Sequence, residues 1–161
     1  KVVPDIRSLK MYVSALHYSG QSEIEICYPL LVRQVTNVHY FPILPKLVRL
    51  TIAIKSAMDS DLTRVLAREL MENLVRFYPK LPSSVVGQVC RMISELAETI
   101  DRAFFDFCFG LLMEQTGSIF VRREIVQLIR LRPERVNSEV MQRIENDPVL
   151  MNVWDPSRLL R

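Results

Sequence analysis

The chain has 161 residues, enough for one domain with a sizeable buried core. Apolar residues make up 49% of it, charged residues 24%, and only 4 residues are glycine, which excludes a disordered protein and a small disulfide scaffold. The net charge of +3 is too balanced for a protein whose affinity rests on covering a phosphate backbone.

The cysteines and the longest apolar run argue against a metal centre and a membrane span. Cys27, Cys90 and Cys108 are odd in number and lack C-x-x-C spacing, so we expect buried free thiols, no metal and no cofactor. The apolar run over 103–113 is about half of what crosses a bilayer, and Asp106 interrupts it. The sequence shows no signal or transit peptide, and because it begins at Lys1 rather than Met, cleavage of an N-terminal piece and import into an organelle are left open.

Proline and capping residues divide an otherwise continuous helical pattern. Pro4, Pro45 and Pro82 each open an apolar stretch, where the missing N–H of proline would have no partner in any case. Polar breaks at 22–23, 59–61, 99–101 and 137–139 supply side-chain caps for further helices. Pro29 is expected to kink its helix or to delay its start to about Tyr28. The predicted helices run, in chain order, over 5–18, 23–39, 44–58, 61–77, 82–98, 101–116, 119–131 and 137–146.

The prolines that open the helices are separated by 41 and 37 residues, which indicates a repeat of about forty residues. One helix pair cannot bury both of its apolar faces alone, so successive pairs must stack. We predict an all-α fold, a short right-handed α-solenoid of about four antiparallel helix pairs in a single domain over 1–161. The predicted units are 1–40, 41–78, 79–117 and 118–146, followed by a tail over 147–161 that folds back across the last pair, anchored by Trp154.

The Pro-opened first helices and capped second helices resemble the pentatricopeptide and octotricopeptide superfamily of organellar repeat proteins. HEAT-type and tetratricopeptide arrays have similar spacing. In that superfamily, long arrays read single-stranded RNA through polar side chains on the first helix of each pair. The corresponding faces here carry Arg7 with Ser8, Lys46 with Arg49, and Ser84 with Gln88, which form no repeated code.

Short, degenerate members of this class resemble structural subunits of mitochondrial assemblies. Examples are pentatricopeptide-like extra subunits of euglenozoan ATP synthases and helical-repeat proteins of divergent mitochondrial ribosomes. The resemblance therefore implies a location in the mitochondrial matrix, with the cytoplasm as the alternative, and a place in a larger protein assembly.

Catalytic signatures are missing from the sequence. It contains no G-x-G-x-x-G, Walker, H-E-x-x-H or G-x-S-x-G pattern, and its two histidines, His17 and His39, lie on different predicted helices. We therefore predict that the protein is not an enzyme and has no small-molecule substrate.

Basic and aromatic clusters provide the candidate binding residues. Arg123, Gln127 and Arg130 share one helix face, with Arg122 adjacent in sequence and Arg158 and Arg161 further along. Such a cluster suits carboxylates or phosphates, although a solvated face with local ion pairs is the preferred interpretation. Phe105 and Phe109 are expected in the core, and they become protein-contact candidates only if exposed.

The leading functional hypothesis is a non-catalytic scaffold subunit that docks onto a larger protein assembly. The alternative is an organellar RNA-binding protein. The partner- or phosphate-binding candidates are Arg122, Arg123, Arg130, Lys46 and Arg49, and Phe105, Phe109 and Trp154 are the protein-contact candidates.

Overall fold

The computed structural model describes residues 4–114 and 118–157, and every regular element within them is helical. The all-α prediction is therefore confirmed at that level. The chain divides into two compact units, Lys1–Ala97 and Glu98–Arg161, and each is described by itself below. Lys1, Arg158 and Arg161, which the sequence singled out, lie outside the described residues.

The first unit is built from five α-helices joined by short turns and 3₁₀ segments, counted over its described residues. The helices are α1 Ile6–Leu16, α2 Gln21–Val32, α3 Leu44–Ile54, α4 Ser60–Phe77 and α5 Ser83–Leu96. The 3₁₀ segments are Val38–Ile43, Lys55–Ala57 and Tyr78–Lys80.

The second unit contains four α-helices within its described residues, again with a short 3₁₀ segment. The helices are α6 Arg102–Met113, α7 Ile119–Ile129, α8 Ser138–Glu145 and α9 Pro148–Trp154, and the 3₁₀ segment is Pro133–Arg135. The first three correspond to predicted helices, whereas α9 falls in the predicted tail.

Side-chain caps open three of the four helices for which they were predicted. The cap side chain accepts a hydrogen bond from the backbone N–H three residues later in each case: Asp59 from Leu62 (3.3 Å), Asp101 from Phe104 (2.7 Å) and Asn137 from Val140 (2.9 Å). The predicted cap at Ser22 is wrong, because α2 begins at Gln21 after Gly20 and has no side-chain cap.

Helix α2 differs most from its prediction. It was expected over 23–39 with a kink or a late start at Pro29, but α2 runs from Gln21 to Val32 with Pro29 buried in its last turn. The helix accommodates Pro29 at the loss of one backbone hydrogen bond to the carbonyl of Glu25, and the proline ring is buried in return. The chain then turns, and the Asn37 side chain accepts from His39 N (3.0 Å), which starts the 3₁₀ segment instead of prolonging the helix.

Within the first unit, α3 contacts both α1 and α5, and α4 contacts both α2 and α5. The contacting faces are apolar and nearly solvent-free, and each buried side chain contributes about 1.5–3 kcal/mol relative to an exposed one. Their central members are Leu16, Leu47, Leu50, Leu66, Leu70, Leu74, Val89 and Ile93. Contact between every second helix places α1, α3 and α5 in series.

A polar pair is enclosed in this apolar core. Tyr28 on α2 is hydrogen-bonded to Oγ1 of Thr51 on α3, and Thr51 donates its own hydroxyl proton to the carbonyl of Leu47 (2.8 Å). Since the single hydroxyl proton of Thr51 is used in that bond, Tyr28 must be the donor of the other. Both hydroxyls are thereby satisfied without water.

In the second unit, α7 contacts α6 and α9, and α8 also contacts α9. The predicted tail therefore does fold back onto the last helix pair, but it does so as a helix with Pro148 in its first turn. Its buried side chain is Leu150, whereas Trp154 is half-exposed. Leu150 and Trp154 are four residues apart and share one face of α9, and the anchoring role assigned to Trp154 stays a prediction.

Among the described helices, none combines the length and the apolar character that crossing a bilayer requires. The free thiols lie where the sequence suggested for two of three: Cys90 and Cys108 are buried, and Cys27 is partly exposed. No three His, Cys, Asp or Glu side chains in the described part of the chain are grouped so as to hold a metal ion.

Candidate functional site

A shallow groove lies between α1 and α3. Its volume is about 380 Å³, and its lining consists of Lys10, Met11, Ser14, Ala15, Tyr18 and Lys46. We call these six residues the α1/α3 groove. Four of them come from one face of α1, where they recur at spacings of three and four residues, and Tyr18 lies in the turn after α1 ends at Leu16.

Two large apolar side chains of the α1/α3 groove are strongly exposed. Met11 is 73% exposed and Tyr18 is 93% exposed, while the neighbouring Val13 and Leu16 on the other face of α1 are buried. Helix α1 therefore has an apolar face in the core and the exposed Met11 and Ala15 on another face, and Tyr18 extends this exposed surface in the turn after the helix. Folding does not require this second apolar surface, and contiguous exposed apolar surface is typical of binding sites.

Lys46 connects the two sides of the groove. Its Nζ donates a hydrogen bond to Oγ of Ser14 at 2.9 Å, across from α3 to α1. This contact holds the ammonium group over the groove rather than free in solvent. Lys10 lines the same groove from α1, one turn before Ser14, so two ammonium groups overlook the same apolar floor.

Positive charge in this region is not neutralised by the protein. Helices α1 and α3 together carry Arg7, Lys10, Lys46 and Arg49 and no acidic residue. Asp5, the nearest acid in sequence, accepts from Arg7 N (3.2 Å) and from the Ser8 hydroxyl (3.0 Å) as the cap of α1. Within the described residues, none of the four cations forms an ion pair.

Cations elsewhere on the same unit are mostly paired. Arg33 contacts Glu69 through two hydrogen bonds (3.0 and 3.3 Å), Lys55 contacts Glu95, and Arg64 contacts Asp61 (3.0 Å). On these other helices, acidic residues lie beside the basic ones and form ion pairs with them. Helices α1 and α3 have basic residues and no such acidic neighbours.

The predicted arginine cluster on α7 is divided between two faces. Arg123 and Arg130 are exposed, and Arg130 donates to the side chain of Gln127 (3.2 Å), as their shared face predicts. Arg122 is one residue off this face, and its neighbours at three, four and seven residues are Ile125, Val126 and Ile129, all buried. Its Nε is itself buried and has no hydrogen-bond partner.

Arg122 therefore lies off the face that Arg123 and Arg130 share, and it is half-buried, while its assignment as a phosphate ligand stays a prediction. One residue along a helix corresponds to a rotation of about 100°, which turns the Arg122 side chain away from that of Arg123. Lys46 and Arg49, also predicted, lie one turn apart on α3, with Lys46 in the α1/α3 groove and Arg49 exposed beyond it.

The aromatic candidates of α6 belong to the core. Phe105 is 4% exposed, and the guanidinium of Arg135 lies 6.0 Å from its ring centre, a cation–π distance. Phe104 is buried and its ring is 5.8 Å from that of Phe107. Phe109 is half-exposed. Phe105 does not meet the condition set for a contact residue, because its ring is covered within the second unit.

A further contact, between Tyr12 and Cys27, joins α1 to α2. The hydrogen bond with Cys27, together with partial burial, raises the pKa of Tyr12 to about 12. Tyr12 therefore keeps its phenolic proton at any physiological pH. The contact fixes α2 against α1 on the side of α1 that faces away from Lys46.

Sequence reasoning missed Lys10, Met11 and Tyr18. A helical periodicity search assigns apolar residues to the core face, and Met11 and Tyr18 lie outside the stripe defined by Val13 and Leu16. The missing signal was available in principle, since the predicted helix over 44–58 carries basic residues and no acid, and the predicted helix over 5–18 carries no acid after its first residue, Asp5. That lack of acids distinguishes α1 and α3 from α5 and α7.

No protein-family model matches the chain, and neither the curated proteins nor the solved structures contain a match to it. The chemistry of the α1/α3 groove is thus the main guide to function.

Proposed function

We propose that this protein is a non-catalytic helical-repeat subunit that docks onto a larger protein assembly through the α1/α3 groove. The observation that carries the proposal is the combination of exposed Met11 and Tyr18 with the unpaired cations Lys10 and Lys46 on one surface. Exposed apolar anchors ringed by charge are typical of protein-binding sites.

The proposal also includes the way in which the helix pairs are arranged. Contacts of α3 with α1 and α5, and of α4 with α2, support a right-handed α-solenoid of stacked antiparallel helix pairs. The organellar repeat superfamily that the Pro-opened helices resemble would place such a subunit in the mitochondrial matrix, in an assembly of ATP synthase or ribosome type.

The first test is affinity capture of the tagged chain from cells of its source, with and without nuclease. We expect a protein partner in stoichiometric amount that survives the nuclease treatment. A chain recovered alone, or a partner lost with the RNA, would overturn the proposal.

Charge reversal makes this test specific to the groove. Lys10→Glu should deplete the partner, while Arg68→Glu, the same kind of change at an exposed position of α4, should not. Equal capture by both variants would show that docking does not use the α1/α3 groove. Far-UV circular dichroism of both variants controls for folding.

RNA binding is the second candidate, and the exposed pair Arg123 and Arg130 on α7 favours it. These two guanidinium groups share a face and could contact adjacent phosphates, with Lys46 and Arg49 as further phosphate ligands. Affinity for a uridine oligonucleotide should then fall steeply with salt, and Arg123→Ala should lower the slope of log K against log salt by about one. A flat salt dependence excludes this candidate.

A further inference from the structure

We infer that the α1/α3 groove accepts an acidic amphipathic helix, whose apolar side chains pack on Met11 and Tyr18 while its carboxylates pair with Lys10 and Lys46. This inference deepens the proposed function and rests on it. It names the chemistry of the partner segment.

The apolar floor sets the first requirement on the occupant. Met11 and Ala15 lie one turn apart on one face of α1, Tyr18 follows in the turn after the helix, and the three exposed side chains together form a short apolar surface. Methionine adapts its unbranched side chain to whatever packs on it, and tyrosine provides a large flat surface. An occupant must therefore offer apolar side chains of its own.

Charge sets the second requirement. Lys10 and Lys46 both border the floor, Arg7 and Arg49 extend the positive surface along α1 and α3, and no acidic side chain of either helix opposes them. Bringing a neutral or basic segment here would desolvate ammonium groups without compensation. A segment with carboxylates beside its apolar residues satisfies both requirements at once.

The dimensions of the groove fit a helix of this kind. Along α1 the groove extends from Lys10 to Ala15 for about 8 Å, given a rise of about 1.5 Å per residue, and Tyr18 continues it in the turn after the helix. A docked helix of about two turns places apolar residues at i and i+4 on this floor and acids at the flanking positions. Recognition of an amphipathic helix by a groove between helices uses the same geometry.

A nucleic acid is the weaker fit to the same surface. Single strands bind to tracks of aromatic platforms under a line of cations, whereas this groove offers a single aromatic ring, Tyr18, and otherwise aliphatic surface. The observations therefore favour a protein segment, and the uridine oligonucleotide is a competing arm of the test.

The probe is a fluorescein-labelled, helix-favouring 18-residue peptide with leucine on one face and glutamate on the flanks, titrated with the full chain and followed by anisotropy. Its controls are the same peptide with every glutamate replaced by glutamine and a uridine oligonucleotide of similar length. We expect saturable binding of the acidic peptide, about tenfold weaker binding of the glutamine peptide, and loss of affinity as salt rises.

Variants locate the site. Lys10→Glu and Met11→Ser should each weaken the acidic peptide about tenfold, and Arg68→Glu should leave it unchanged. A peptide with lysine in place of glutamate should bind the double variant Lys10→Glu, Lys46→Glu better than it binds the parent chain. Lys10 is exposed, so its variant is expected to fold even if that of Lys46, which donates to Ser14, does not.

Equal binding of the acidic and glutamine peptides would overturn the inference, as would indifference to Lys10→Glu or tighter binding of the oligonucleotide. Competition separates this result from the proposed function. If a captured protein partner is not displaced by excess acidic peptide, docking stands and the acidic helix is wrong. If the peptide binds at the groove but no partner is captured, the groove accepts an acidic helix and the proposed docking onto an assembly is wrong.

Discussion

Tyr28 on α2 donates its buried hydroxyl proton to Oγ1 of Thr51 on α3, and Thr51 passes the chain of hydrogen bonds on to the carbonyl of Leu47. Tyr28 and Thr51 are both fully buried, so each hydroxyl depends on the other for its lost hydration. The pair also fixes the register of α2 against α3, because an apolar core alone would tolerate a shift along the helix axis.

The pair predicts strong coupling between two substitutions. Thr51→Val should lower the free energy of unfolding by about 1–3 kcal/mol, because it leaves the Tyr28 hydroxyl buried and unsatisfied. Tyr28→Phe should cost about 1–2 kcal/mol, and the double variant should cost less than the sum of the two. Urea unfolding of the four proteins measures the coupling, and strict additivity would contradict the assigned hydrogen bond.

Alkaline pH should destabilise the first unit through the same tyrosine. Burial raises the pKa of Tyr28 above its ordinary value of 10.0, so the folded state holds this proton more tightly than the unfolded state. Stability from this group is complete below pH 10 and is lost as pH rises above it, with a limiting slope of about 1.4 kcal/mol per pH unit. Tyr28→Phe should remove that part of the slope, and identical slopes for the two proteins would refute it.

The attachment of α9 should depend on Leu150 rather than on Trp154. Leu150 is fully buried against the second unit, so Leu150→Ala should cost about 2–5 kcal/mol, whereas the half-exposed Trp154 loses less on truncation. Amide hydrogen exchange of α9 in the two variants measures this difference. Faster exchange in Trp154→Ala than in Leu150→Ala would show that Trp154 contributes more than Leu150 to the attachment of α9.

Thiol labelling should distinguish the three cysteines. Cys27 is partly exposed, while Cys90 and Cys108 are buried. An aromatic disulfide reagent should therefore modify one thiol quickly in the native protein and all three in denaturant. Cys27→Ser should abolish the fast phase, and a fast phase that persists would place the reactive thiol elsewhere.

Most helices of this chain were predictable because local signals agree with tertiary packing. Asp59, Asp101 and Asn137 open their helices as the capping rule expects, since the cap hydrogen bonds are local. Pro29 was misread because the proline rule considers only the lost hydrogen bond and the clash with the preceding turn, whereas burial of Tyr28, Pro29 and Leu31 stabilises the helix through to Val32.

The candidate site was less predictable than the fold. Lys46 was found because it lies on the exposed face of a predicted helix, but its partner across the groove, Ser14, is 32 residues away and no local rule connects them. Arg122 was grouped with Arg123 on adjacency in sequence, although adjacent residues of a helix point in different directions. Exposure of Met11 and Tyr18 depends on which elements pack on α1, which periodicity alone does not reveal.

Polar contacts between helices of the first unit repeat at similar separations. Lys46 meets Ser14, Asp59 meets Glu25, Arg33 meets Glu69 and Lys55 meets Glu95 across 32, 34, 36 and 40 residues. At translation speeds of roughly 5–20 residues per second, a helix waits roughly 2–8 s for the neighbour that covers it. The chain can therefore assemble from its N-terminal end while it is still being synthesised, and at any moment only its newest helices lack a partner.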